Sequence, residues 1–290
     1  MRVADAFETY RSNLEITRSE HARARARCRP VCAILCEAFE VEDTFLIGSY
    51  ARHTMPGPLR DVDILCVLGT GAGQVEPCRT VHPGEVLAAL GGELQLRYPR
   101  CELGIARRAV AVEFGSGRDA MSFDIVPAFE RSAGGYEIPD LHLGYWIAAD
   151  PMLHAQLAAE KDQECDGRWK RLIRMIKSWN RYVGEPVRPP FLIEVMGLDL
   201  VRGACGAYPT EMGEFFGIAA SRVTEDWPDP AGLAPDVNDV VMPEERAVAA
   251  SALKKGRAAA TRAQRLEEEG RDTEAIPAWR DLLGPLFPAA

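Results

Sequence analysis

Long apolar runs, an excess of positive charge and Cys-x-x-Cys motifs are absent from this sequence. No stretch approaches the ~20 apolar residues that a membrane-spanning helix needs. The first residues carry charged side chains at Arg2, Asp5, Glu8 and Arg11 and do not resemble a signal peptide. The net charge of −9 argues against a protein built to coat nucleic acid. We therefore expect a cytoplasmic protein that has no membrane partner.

The eight cysteines include no Cys-x-x-Cys motif. Without an export signal, their thiols are expected to stay reduced rather than to form a disulfide framework. Cys28, Cys32 and Cys36 are spaced four residues apart, so they lie along one side of a predicted helix. A metal or redox site is one interpretation of this row. Because no histidine lies among the three thiols, buried packing is favoured.

A glycine and a serine follow the first apolar run. Residues 44–47 end at Gly48 and Ser49, which predicts a buried strand that leads into a tight turn. Glycine lets a polyphosphate approach the backbone closely. A helix opened by residues 50–54 would point free N–H groups at the same place as the Ser49 hydroxyl. The sequence therefore predicts a phosphate-binding turn, although a Gly-Ser pair after a strand is usually only a turn.

Asp61 and Asp63 come twelve residues after Ser49, within a second apolar run. Because successive strand side chains face opposite ways, the two carboxylates share one face while Val62 and Ile64 take the other. Carboxylates so close repel each other and favour a bound cation, which for oxygen ligands is Mg²⁺ or Mn²⁺. Taken alone, an Asp-x-Asp pair is often just a solvated strand edge.

Asp124 is the best candidate for a third carboxylate. It lies between Phe123 and Ile125 in an alternating strand pattern, which follows another such pattern at residues 110–114 across a glycine-rich loop. A charge in a strand core is costly unless something binds it. Two cations roughly 3.5–4 Å apart would activate an attacking oxygen and neutralise a leaving pyrophosphate.

These motifs, in this order along the chain, resemble the signature of the polymerase-beta-like nucleotidyltransferase superfamily. Residues 48–54, Gly-Ser-Tyr-Ala-Arg-His-Thr, narrow the resemblance to the bacterial relatives of cyclic GMP-AMP synthase and 2′-5′-oligoadenylate synthase. These are the CD-NTases, the cyclic-oligonucleotide synthases of the CBASS anti-phage defence systems. The resemblance runs from about Arg18 to the end of the chain, and further matching segments are 126–129, 136–146, 150–151, 172–180 and 279–288.

The resemblance implies a metal-binding triad of Asp61, Asp63 and Asp124, with Asp124 also placed to deprotonate a ribose hydroxyl. Ser49, next to Gly48, would hold the triphosphate of the donor nucleotide. Lys177 would approach the outer phosphates, the alternative being a solvent-facing helix lysine. Two Mg²⁺ ions, or Mn²⁺, would be the cofactors, and ATP with other nucleoside triphosphates the substrates. The product would be a cyclic di- or trinucleotide second messenger.

Other functions stay open at this point. The same site could add nucleotides to an RNA end or adenylylate a protein, as more distant members of the superfamily do. A scaffold that senses nucleotide or RNA could keep the fold and lose the chemistry, although its usual mark would be a missing carboxylate. Regulatory proteins of the defence system could act through the C-terminal tail, residues 287–290.

The expected fold is α+β, with a mixed sheet in a polymerase-beta-like core and a helical lobe after it. Residues 1–145 would form the catalytic core, residues 146–290 the helical lobe, and nucleotides would lie between them. The core is predicted to contain a helix capped by Thr17 or Ser19 and reaching about Phe39, strands at Phe45 and Asp61, a helix over 85–98 and the hairpin of Asp124. From Trp146 onward we predict helices, starting at Asp150-Pro151 and continuing over 168–182, 191–202, 211–221, 244–269 and 273–283. Surface connections are predicted at 226–235 and around Gly69, Gly71 and Gly73.

Overall fold

The computed structural model describes residues 1–69, 81–117 and 120–289. Within these ranges the chain forms ten α-helices and seven β-strands. The helices are α1 (Val3–Asn13), α2 (Arg18–Ala38), α3 (Gly48–Ala51), α4 (Pro83–Arg97), α5 (Pro151–Glu164), α6 (Trp169–Tyr182), α7 (Phe191–Leu200), α8 (Tyr208–Arg222), α9 (Pro243–Glu268) and α10 (Asp272–Leu283). The strands are β1 (Val41–Ile47), β2 (Asp61–Leu68), β3 (Glu102–Ile105), β4 (Val110–Phe114), β5 (Met121–Glu130), β6 (Tyr136–Asp140) and β7 (Tyr145–Ala149). In this part of the chain, no helix has the length and apolar character needed to cross a membrane.

Two compact units make up the chain, and each is assembled from separate stretches of sequence. The sheet unit contains Ile16–His53 and Leu59–Ala155. The helical unit contains Met1–Glu15, Thr54–Pro58 and Gln156–Ala290.

The sheet unit is organised around a mixed sheet with the strand order β1-β2-β5-β4-β3. Its neighbouring strands are antiparallel, except that β2 and β5 run parallel. The far end of β5 also pairs with β6, and β6 pairs with β7. This arrangement confirms the predicted α+β class with a mixed sheet.

Helix α2 begins with the predicted cap. The Thr17 hydroxyl accepts a hydrogen bond from the Glu20 N–H at 3.2 Å, and the Glu20 carboxylate accepts one from the Thr17 N–H at 2.7 Å. This reciprocal pair is a capping box. The other carboxylate oxygen of Glu20 accepts a hydrogen bond from the Leu59 N–H at 3.0 Å. The first turn of α2 is therefore tied to the segment that enters β2.

The helical unit is built around large aromatic side chains. Five of the largest buried rings belong to Trp169, Trp179, Trp279, Phe216 and Phe287. The exposed fraction of Trp179 is 1%, which confirms its predicted place in the core.

Helix α1, which has no counterpart among the predicted elements, joins this aromatic core. The ring of Phe7 meets Trp279 and Phe287 edge to face, with centroids 5.0 and 5.1 Å apart. Residues 1–15 therefore group with the helical unit, whereas the sequence assigned all of residues 1–145 to the catalytic core. The apolar face of α1 is buried by the C-terminal helices, and this decides its placement.

One local prediction is wrong, a second is confirmed, and a third lies outside the described residues. Trp146 lies in β7 rather than in a helix, so the helical pattern begins only at α5, where Asp150 accepts a hydrogen bond from the Leu153 N–H at 2.9 Å as predicted for a cap. The segment 226–235 is irregular as predicted, yet its Trp227 is only 4% exposed and anchors it. Gly71 and Gly73, with the surface loop predicted around them, lie outside the described residues.

Candidate functional site

The predicted glycine turn follows β1 directly. Gly48 has a φ of +69°, and a Cβ atom built on it would lie 1.7 Å from the Asp63 Oδ2 atom. Only glycine fits here, because both the left-handed backbone and the adjacent carboxylate exclude a side chain. The helical turn α3 covers Gly48–Ala51, so it begins before the predicted residues 50–54 and ends earlier, with Ser49 inside it.

Strands β2 and β5 bring the three predicted carboxylates to one face of the sheet. In their parallel register Asp63 pairs with Asp124, and Asp61 pairs with Ser122. Side chains alternate along each strand, so all four of these residues point to the same side. The intervening side chains, such as Val62 and Phe123, are buried on the opposite side.

Negative charge accumulates around Asp124. Burial raises the pKa of its carboxyl above the usual value, and the Asp61 carboxylate raises it further, with a contribution from Glu113. The Ser122 hydroxyl, which donates a hydrogen bond to the Asp124 Oδ1 atom at 3.2 Å, lowers the pKa in part. Asp61 and Asp124 are thus close enough to repel each other, and a bound cation would relieve that repulsion.

The donor set fits a hard divalent cation. Across residues 1–69, 81–117 and 120–289, no three Asp, Glu, His or Cys side chains already form a closed metal site. The register nevertheless places three carboxylates side by side, and oxygen donors of this kind suit Mg²⁺ or Mn²⁺.

Lys177 lies on α6 of the helical unit and is 5% exposed, so it is not a solvent-facing lysine. Its Nζ atom donates a hydrogen bond to the Glu194 Oε1 atom on α7 at 2.5 Å. Glu194 is itself only 1% exposed. The lysine ammonium is therefore held by a buried carboxylate, and its contact with nucleotide phosphates stays a prediction.

Sequence reasoning missed two residues that hold the site strands. Glu20 fixes the Leu59 N–H just before β2, and the Ser122 N–H donates a hydrogen bond to the Arg60 carbonyl at 2.7 Å. The position of Ser122 could have been predicted from the sequence, because it precedes Asp124 by two residues on a strand and must share its face. The contact of Glu20 could not, because the two partners are 39 residues apart.

The cysteine row on α2 differs from the prediction of buried packing. Cys28 and Cys32 are only partly buried, and Cys36 is exposed. The sulfur atoms of Cys28 and Cys32 are 3.8 Å apart. A hydrogen bond from Cys28 lowers the pKa of the Cys32 thiol, and the same contact raises the pKa of Cys28. These two thiols form an interacting pair rather than part of a core.

Comparison with known proteins adds to this geometry. Residues 1–162 match the family model described as the Second Messenger Oligonucleotide or Dinucleotide Synthetase domain. The chain is 28% identical to the cyclic AMP-AMP-AMP synthase of Acinetobacter sp. (strain ATCC 27244 / 9458), with 84% of this chain and 72% of the relative covered.

Solved structures of similar fold include CdnC of E. coli MS115-1 with ATP. Its TM-score is 0.75 at 16% sequence identity, with 100% of this chain and 99% of that chain covered. The complex of CdnC with HORMA-deltaN gives a TM-score of 0.74 at 15% identity, with 98% of each chain covered. At these identities the similarity supports the fold alone.

Proposed function

Because the chain belongs to the Second Messenger Oligonucleotide or Dinucleotide Synthetase family and is therefore a nucleotidyltransferase, we propose that it makes a cyclic di- or trinucleotide from nucleoside triphosphates. The observation that carries this proposal is the position of Asp61, Asp63 and Asp124 on one face of two parallel strands, against the Gly48 turn. A second messenger for anti-phage signalling is the product we expect.

The three carboxylates would hold Mg²⁺ or Mn²⁺, which when bound neutralises charge on the phosphates and favours ionisation of the attacking hydroxyl. Asp124, which lies on the same face of the sheet as Asp61 and Asp63, accepts the proton of that ribose hydroxyl. The hydroxyl oxygen bonds to the α-phosphorus as the bond to the β-phosphate breaks, and pyrophosphate leaves. Repeating the step on the linear product closes the ring, after two transfers in all for a dinucleotide and three for a trinucleotide.

Donors from the turn would hold the triphosphate. The Ser49 hydroxyl and the N–H groups of the first helical turn after Gly48 suit phosphate oxygens. Lys177 is proposed to contact the outer phosphates. ATP is the proposed first substrate, in line with the names of the Acinetobacter relative and of the ATP complex of CdnC. A HORMA-type regulatory protein is the proposed partner, by analogy with CdnC.

Labelled nucleoside triphosphates and Mg²⁺ test the proposal directly. We expect a small product that resists phosphatase, because a closed ring has no terminal phosphate. Label that moves only into RNA or protein would instead support end addition or adenylylation and overturn cyclisation.

Variants connect that product to the site. The double change Asp61→Asn with Asp63→Asn should lower product at least ~10³-fold, because it removes two of the three carboxylates that would hold the cations. Glu42→Gln, an exposed change on neighbouring β1, is the matched control and should leave the rate unchanged. If the double variant unfolds like the wild type but still makes product, the proposed site is wrong.

A further inference from the structure

Ser122 occupies a junction between the two site strands. It faces Asp61 across the parallel β2–β5 pair and precedes Asp124 by two residues on β5. Its N–H donates to the Arg60 carbonyl at 2.7 Å, and its hydroxyl donates to the Asp124 Oδ1 atom at 3.2 Å. One residue therefore contacts both the segment that presents Asp61 and the carboxylate of Asp124.

Little else in the described part of the chain restrains the Asp124 carboxylate. On the β4 side its register partner is Ala111, whose methyl group offers no hydrogen bond. On the β2 side its neighbours are two further carboxylates, Asp63 in register with it and Asp61 on the same face of the strand. Free rotation about the side-chain torsions, driven by repulsion from Asp61, would turn Asp124 away from the other two carboxylates.

We infer that Ser122 is a positioning residue of the nucleotidyl-transfer site, which orients the Asp124 carboxylate through Oδ1 and leaves Oδ2 for a cation or for the hydroxyl proton. The inference rests on the proposed function, since it assigns Ser122 to the same site. A hydroxyl that orients a ligand carboxylate acts as an outer partner of a metal site, and loss of such a partner typically costs about 10–100-fold in metal affinity or activity.

The variants Ser122→Ala and Ser122→Thr distinguish the contribution of the Ser122 hydroxyl from that of its backbone N–H. Both variants keep the N–H to Arg60, but only threonine keeps the hydroxyl, and its β-branched side chain suits a strand. We expect Ser122→Ala to lower kcat about 10–100-fold with KM for the triphosphate changed less than about threefold, because uniform substrate binding is unaffected. Ser122→Thr should restore kcat to within about fivefold of the wild type. Ser116→Ala, at an exposed position in the β4–β5 loop, is the control and should change neither quantity.

Binding of Mn²⁺ to the nucleotide-free protein supplies a readout that needs no product. Electron paramagnetic resonance of free Mn²⁺ should show affinity about 10-fold weaker for Ser122→Ala and close to wild type for Ser122→Thr. If Ser122→Ala keeps both the wild-type kcat and the wild-type Mn²⁺ affinity, the inference is wrong. The inference is also wrong if Ser122→Thr loses as much kcat and Mn²⁺ affinity as Ser122→Ala does, while it unfolds at the same temperature as the wild type. A wild-type protein that makes no product would count against the proposed function instead, and the Mn²⁺ measurement would still decide the role of Ser122.

Discussion

Two carboxylates, Glu194 in the helical unit and Asp124 in the sheet unit, have opposite surroundings. In the helical unit, Glu194 is matched by Lys177, with both side chains almost fully enclosed. In the sheet unit, Asp124 is partly buried, and the charges that shift its pKa, from Asp61 and Glu113, are negative like its own. Lys177 thus neutralises Glu194 within the fold, whereas Asp124 lies beside further negative charge.

This contrast separates a carboxylate that is paired with a cation from one that is surrounded by like charge. A buried ion pair is destabilising mainly when one partner is removed, because the other is then left uncompensated. A carboxylate placed beside like charge is already uncompensated, and such groups are concentrated at functional sites. Glu20 is an intermediate case, since backbone N–H groups of Thr17 and Leu59 satisfy its carboxylate.

The largest effect is expected from breaking the pair in the helical unit. Lys177→Met should lower the free energy of unfolding by about 3–5 kcal/mol, because Glu194 would stay buried without its cation. Urea denaturation measures this change. Lys177→Met combined with Glu194→Met should recover much of the loss, since neither charge is then buried. A loss below about 1 kcal/mol for the single variant would mean that Glu194 does not depend on Lys177 for its compensation.

A smaller loss is expected from Glu20→Ala, which removes the capping box of α2 and the contact with Leu59. We expect a decrease of about 1–3 kcal/mol in the free energy of unfolding. Glu37→Ala is the matched control on the same helix, because the ion pair of Glu37 with Arg97 is exposed and worth at most about 1 kcal/mol. Equal effects from the two variants would contradict a special role for Glu20.

Asp124→Asn should stabilise the protein, whereas the two preceding changes destabilise it. The raised pKa of Asp124 means that its neutral form stabilises the fold at low pH, and this contribution is lost as pH rises through that pKa. Asparagine stays neutral, so at pH 7.5 without metal we expect Tm to rise by about 1–3 °C. The gain should shrink toward pH 4, and product formation should be lost.

Calorimetry across pH checks this prediction. Asp43→Asn on β1 of the same sheet, where the side chain is exposed, serves as the control and should change Tm by less than about 1 °C. A fall in Tm for Asp124→Asn at pH 7.5 would show that the carboxylate is already compensated.

The smallest effect concerns thiol reactivity, which also differs between the units. The pKa of Cys32 in the sheet unit is lowered by Cys28, whereas burial raises the pKa of Cys205 in the helical unit. Because the thiolate is the nucleophile, iodoacetamide at pH 7 should label Cys32 several times faster than Cys205. Peptide mass spectrometry gives both rates. Cys28→Ala should slow the labelling of Cys32. An unchanged rate would show that the contact with Cys28 does not cause the higher reactivity of Cys32.

Local patterns predicted the site strands well. The two-residue period at Asp61, Val62 and Asp63 was enough to predict which side chains share a face, and the structure confirms that β2 and β5 are strands with this alternation. The cap at Thr17 and the helix from Pro151 were likewise predictable, because capping depends on neighbours within a few residues.

Long-range packing was not predictable in the same way. Phe7 places α1 against Trp279, and nothing near either residue in the sequence indicates that contact. The Lys177–Glu194 pair joins two helices and depends on how they pack. Trp146 was misassigned because β6 and β7 are five-residue strands, too short for a clear period.

The parallel register of β2 with β5 also limits which insertions and deletions the gene can tolerate. Deleting Arg60, the single residue between Leu59, which Glu20 holds, and the start of β2 would slide the strand by one place, and every side chain on it would change sides. Asp61 and Asp63 would then enter the hydrophobic layer while Val62 met water. A one-residue insertion at this point would have the same result, so either change would cost the protein its fold together with its chemistry.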